Sequence, residues 1–138
     1  MSNEASTAQA LAANKALVSS FWQAFSDSRF DDALALLADD ATWTVKGKTH
    51  ISTTYSKAEF AELVHGIADS TTAGIAVTPT LMTAEDDRVS MEATSYGPLK
   101  NGRVYQNEYH FMHVVSGGKL AAVREYLDTE HVTETFGP

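Results

Sequence analysis

The stretch Tyr105–His131, YQNEYHFMHVVSGGKLAAVREYLDTEH, decides how the rest of the chain must fold. It reads as two strands joined by Gly117-Gly118. A two-residue hairpin loop of the right twist needs φ > 0 at both positions, which glycine adopts without steric cost. With the glycines in the turn, Ser116 faces Lys119 and strict alternation sets the other pairs: Met112 with Val123, His110 with Glu125, Glu108 with Leu127. Opposed side chains in such a ladder lie about 5 Å apart at Cβ. The turn therefore predicts a histidine beside a carboxylate on one face, walled by Met112, Val123 and Leu127. Glu108 shares that face near the strand end, at a solvated rim or in the site. The opposite face collects Arg124, Tyr126 and Asp128 with Asn107, Tyr109 and Phe111 across from them. A single bulge would undo the pairing.

Working outward, the segments before the hairpin alternate as strands over Ile75–Ala84 and Arg88–Tyr96, with turns at Glu85-Asp86-Asp87 and residues 97–102. Pro79 predicts an edge or a bulge in the first of these strands. Ser56-Lys57-Ala58-Glu59 is a capping box, and Phe60, Leu63, Val64 and Ile67 after it form one apolar stripe of a helix. Earlier, Leu11, Leu17, Val18, Phe21, Trp22 and Phe25 recur at helical spacing over Ser6–Ser26. Ser28 to Asp31 offers capping oxygens for a second helix, Asp31 to about Ala38. Residues 41–45 alternate as a strand with Trp43 and Val45 on one side, and Asp128-Thr129 caps a last helical turn carrying Val132 and Phe136. Residues 1–6 read as a flexible tail of a single domain spanning 1–138. Helices first and an antiparallel run of strands last predict α+β, with helices packed on one face of a curved sheet that leaves a conical, lined space.

Composition narrows the function classes. The net charge is −8, which repels phosphate backbones and anionic lipid, so neither nucleic acid nor membrane is an expected partner. There is no cysteine, and the five histidines show no metal-ligand spacing. No glycine-rich phosphate loop is present, no cofactor is called for, and a cytoplasmic location is the default expectation.

The runs FWQAFSDSRFDDALALLADDATW, YSKAEF, NEYHF, GGKL and VREYLDTEH resemble the SnoaL-like and ketosteroid-isomerase-related branch of the nuclear transport factor 2-like superfamily, over about Ala8–Phe136. The resemblance implies a cystatin-like α+β barrel. Its cone-shaped mixed or antiparallel sheet wraps the helices around an apolar cavity, whose polar groups come largely from the last two strands. It also implies that the acidic residue of an Arg-Glu-Tyr pattern, here Glu125, points inward, and that the outer sheet face makes a homodimer. The chain departs from ketosteroid isomerase at two places: Phe21 stands where a tyrosine donates to substrate, and Val45 where an aspartate acts as base. The limonene epoxide hydrolase set is matched by Glu125 alone. The superfamily spans isomerases, dehydratases, hydrolases and non-catalytic binding or dimerisation modules.

The expected site is accordingly Glu125 and His110 as an acid–base pair for a small apolar substrate, and its structural alternative is a hydrogen bond across two strands. Trp43, Met112, Val123 and Leu127 would line it, or simply be core. Tyr55 would reach its mouth or bond a backbone carbonyl, and Glu92 has no assigned side.

Overall fold

The hairpin turn forms as its two glycines require, with φ of 59° at Gly117 and 76° at Gly118, and Ser116 pairs with Lys119. This computed structural model describes residues 3–137. Strands β6 (Glu108–Ser116) and β7 (Lys119–Leu127) hold the predicted pairing for two rungs only. Val115 faces Leu120, but Val114 faces Ala122, so Ala121 is an extra residue in β7. Beyond this bulge every rung moves by one: His113 faces Val123, Phe111 faces Glu125 and His110 faces Tyr126.

The bulge reverses the expected face assignment of β6. Tyr109, Phe111, His113 and Val115 are buried, whereas Glu108 and His110 are exposed and Met112 is half-buried on the outer side. On β7 both Leu120 and Val123 are buried although three residues apart, and the small Ala121-Ala122 pair between them takes up the phase change. The driving force is plain. Two aromatic rings and a valine go to the core, each large apolar side chain being worth about 2 kcal/mol when buried. Arg124 and Tyr126 go outward.

The other elements follow the sequence closely. Helix α1 (Asn3–Ser26) begins before the expected tail ends, and the first two residues of that tail lie outside the described residues. Ser28 takes φ of 60° where α1 stops, and α2 (Phe30–Ala35) is shorter than predicted, starting at Arg29 with no side-chain cap. Strand β1 starts early, at Leu37–Val45, and pairs antiparallel with the short β2 (Thr54–Ser56). Ser56 then caps α3 (Lys57–Asp69): its Oγ accepts from the Glu59 amide at 3.2 Å, while its own amide donates to Glu59 Oε1 at 2.9 Å. Strand β3 (Ala76–Glu85) is the sheet edge and shifts register between Pro79 and Leu81, as the proline predicts. Strand β4 (Arg88–Pro98) runs between β3 and β6 and also pairs with the two-residue β5 (Val104–Tyr105). Helix α4 (Thr129–Phe136) is capped by Asp128, which accepts from the amides of Glu130 and His131.

The sheet has seven strands in a curved, unclosed array, ordered β2-β1-β7-β6-β4-β3 with β5 joined to β4. It is mixed, since β1 lies parallel to β7 and brings Trp43 beside Val123 and Val45 beside Glu125. That crossover pairing has no local sequence signal. On the concave side, α1 contributes Val18, Phe21 and Trp22, and α3 contributes Phe60 and Val64, with Leu63 and Ile67 half-buried. Among the described residues no helix is long and apolar enough to cross a membrane.

Candidate functional site

Glu125 stands at the centre of the concave face. It lies on β7 between Val45 of β1 and Phe111 of β6, and only the bulge at Ala121 turns it inward. Trp43 Nε1 donates to Glu125 Oε1 at 2.8 Å. The indole is itself fixed, stacked on Phe60 with ring centres 4.0 Å apart and planes at 14°. Burial raises the Glu125 pKa to about 7, and the indole hydrogen bond offsets part of that shift. The remaining surface of the carboxyl faces a cavity of about 70 Å³, enclosed by Trp22, Trp43, Phe60 and Leu63 and by Ile51 and Phe136 from the loop after β1 and from α4. Among the described residues, no lysine, arginine or histidine lines it.

Two tyrosines supply the other polar groups. The Tyr109 hydroxyl lies 2.7 Å from that of Tyr105 and 3.0 Å from Ser95 Oγ, and can donate to either. Asn107 Nδ2 donates to the Tyr105 oxygen at 3.0 Å and to Asp128 O at 3.1 Å, while the Asn107 amide donates to Ser95 Oγ. When Tyr109 gives its proton to Tyr105, the Tyr105 oxygen receives two hydrogen bonds and its own proton is left to point elsewhere. Both phenols line the cavity with Glu125. Desolvation pushes both of their pKa values up, and the negative charge of Glu125 adds to the shift. Each phenol therefore stays protonated and serves as a donor. Chemically, the cavity holds one group that exchanges a proton near neutrality and one hydroxyl free to donate.

The structure separates the expected pair. His110 points outward, beside Ser90, with whose hydroxyl it shares a short hydrogen bond; it cannot reach Glu125 on the other face. Glu108 is exposed and Met112 belongs to the outer face, so neither lines the cavity. Glu92 is exposed and paired with His110 on that same outer side. Of the other expected residues, Trp43 touches Glu125 directly. Val123 and Phe21 do not line the cavity but are buried as core, and Phe21 packs on Trp22 and Trp43. Leu127 points inward but is only packed against the core. Tyr55 takes the backbone alternative: its hydroxyl donates to Ile51 O at 2.6 Å, which holds the loop carrying the Ile51 wall. The outer face predicted for dimerisation loses Tyr109 and Phe111 to the interior and gains His110 and Met112.

Reading by strict alternation missed Tyr105 and Tyr109 as cavity residues. A signal was present. Strict pairing sets Phe111 against Arg124 and Tyr109 against Tyr126, a costly face to bury and a costly face to expose.

A histidine buried elsewhere in the core is structural. His113 is fully buried, its Nδ1 donating to Val89 O and its Nε2 accepting from Trp22 Nε1, each at 3.0 Å. Desolvation lowers its pKa to about 4, partly offset by the bond to Val89.

A family model described as a SnoaL-like domain matches residues 18–123. Among solved structures, the chain is similar to an NTF2-like protein from Burkholderia xenovorans LB400, at 23% identity and a TM-score of 0.73, over 91% of this chain and 96% of that one. It is similar to AclR, a putative hydroxylase from Streptomyces galilaeus, at 15% identity and a TM-score of 0.77, over 92% and 86%. A third similar structure is a protein of ketosteroid isomerase-like fold from Catenulispora acidiphila DSM 44928 in complex with trimethylamine, at 17% identity and a TM-score of 0.74, over 88% and 92%. No curated protein matches the chain.

Proposed function

The chain belongs to the SnoaL-like domain family, and on that footing we propose that it is a small, cofactor-independent enzyme moving a proton on a compact molecule of largely apolar surface. The observation that carries this reading is Glu125, a lone carboxyl in an aromatic cavity whose pKa is raised to about 7. General acid–base catalysis is most efficient when the catalytic pKa lies near the working pH. Glu125 takes or returns the proton, Trp43 orients its carboxyl, and the Tyr105 hydroxyl donates to an acceptor on the bound molecule. Isomerisation, dehydration and hydration can each proceed with these elements. His110 has no part in it.

The test is exchange of a carbon-bound proton with solvent. In D2O, with a panel of compact carbonyl, hydroxy and ammonium compounds, deuterium incorporation read by NMR should rise with pH through about 7. It should vanish in Glu125→Gln and slow on the order of a hundredfold in Tyr105→Phe, the usual scale for losing one positioned donor. Exchange at full rate in Glu125→Gln would remove Glu125 from the mechanism, and no exchange above buffer in the native protein would leave the second reading, a cavity that binds a small ligand without chemistry.

We propose also that two copies pair through the outer sheet face. Its exposed Tyr126 and His110, with half-buried Arg124 and Met112, form a row of large amphipathic groups where a monomer would present short polar ones. Sedimentation showing a monomer at micromolar concentration would remove that proposal.

A further inference from the structure

We infer that the molecule this cavity takes is a compact organic cation, a quaternary or protonated tertiary amine, held against Glu125 by the aromatic walls. The inference rests on the reading above, in which Glu125 is the proton-exchanging group, and adds the charge and shape of what it meets. Three observations carry it. First, among the described residues Glu125 makes a single side-chain hydrogen bond, from Trp43, and no cationic side chain lines the cavity, so the ionised carboxylate has no counter-charge among them. Second, the cavity is lined by six aromatic side chains, Trp22, Trp43, Phe60, Tyr105, Tyr109 and Phe136. Aromatic rings attract a cation placed over a face within about 6 Å, most strongly when it is desolvated, and aromatic cages suit methylated ammonium groups. Third, the net charge of −8 draws cations toward the molecule as a whole.

A neutral guest gains less here. It fills the apolar space but leaves Glu125 either protonated or ionised without a counter-charge, and the aromatic rings offer it no charge attraction. A cation supplies the missing counter-charge, favours the ionised carboxylate, and presents methyl groups to the apolar surface. Binding near neutral pH therefore releases the proton from Glu125. The small size of the cavity, about 70 Å³ against about 150 Å³ for an engineered cavity that admits benzene, limits the cationic head to a few methyl groups.

Calorimetric titration of the whole protein with tetramethylammonium chloride and with tert-butanol, a neutral molecule of similar shape, tests this. At pH 8 the cation should bind at least about tenfold tighter than the alcohol. Its affinity should fall about tenfold per pH unit below the Glu125 pKa of about 7, because binding competes with protonation. Glu125→Gln, which is nearly isosteric, should abolish the preference. The inference is overturned if tert-butanol binds as well as the cation, if the cation does not bind, or if its affinity ignores pH. A 13C NMR titration of Glu125 in the free protein separates the two layers. A carboxyl that titrates near 7 with no cation preference defeats only the ligand class, whereas one that titrates near its ordinary value defeats the proton-transfer reading beneath it.

Discussion

The side chain of Glu125 has two opposed influences on it, and each can be removed alone. Burial favours its neutral form, and the Trp43 indole N–H favours its charged form. Trp43→Phe keeps an aromatic ring on Phe60 and deletes the donor. The Glu125 pKa should then rise above about 7, and an NMR titration of the variant shows whether it does. His110 offers the contrasting case, for it is exposed and faces away from the cavity. His110→Ala should leave exchange activity unchanged and shift stability by no more than about 0.5 kcal/mol, as surface substitutions do. A large loss of activity would return His110 to the mechanism.

At the scale of the elements, the bulge in β7 decides which side chains form the site. The capping box, the two-glycine turn, the Asp128 cap and the Pro79 irregularity were all legible, because each is a local matter of backbone amides and dihedral angles. The bulge is not local. It is set by how the long-range packing of Phe111 on Trp22 of α1, with Tyr109 stacked beside it, competes with strict pairing beside the turn, and periodicity of one strand alone cannot report it. Glu125 was placed inward correctly by the Arg-Glu-Tyr pattern, while its partner was misplaced by the turn. The parallel β1–β7 pairing, which brings Trp43 to Glu125, was likewise invisible in either strand. Deleting Ala121 removes the extra residue and makes Val115–Leu120 and Val114–Ala122 successive rungs, so the pairs beyond them, Phe111 with Glu125 included, keep their register. The variant should therefore unfold cooperatively, followed by circular dichroism, with Glu125 still inward. Loss of folding on this deletion would contradict the assignment of Ala121 as the extra residue. Ser56→Ala, by comparison, should cost only about 1 kcal/mol, the usual value of an N-cap, in denaturant unfolding.

Across the whole molecule, two buried titrating groups act on stability with opposite sign. Glu125 is raised from 4.5 to about 7, so between those values the folded state holds more protons and stability falls as pH rises. His113 is lowered from 6.5 to about 4, so the folded state holds fewer, and its contribution is present above 6.5 and lost as pH falls toward 4. From about 4.5 to 6.5 the two slopes, each about 1.4 kcal/mol per pH unit, cancel. Denaturant unfolding of the native protein should vary little over that window on their account, and Glu125→Gln should uncover a rise with pH from His113 alone. Parallel profiles for the two proteins would contradict the pairing of these effects. The functional account depends most on one of these groups, and the 13C NMR titration of the Glu125 carboxyl measures it without any ligand. The account predicts a midpoint at about 7, and a midpoint at the ordinary carboxylate value of 4.5 would contradict it.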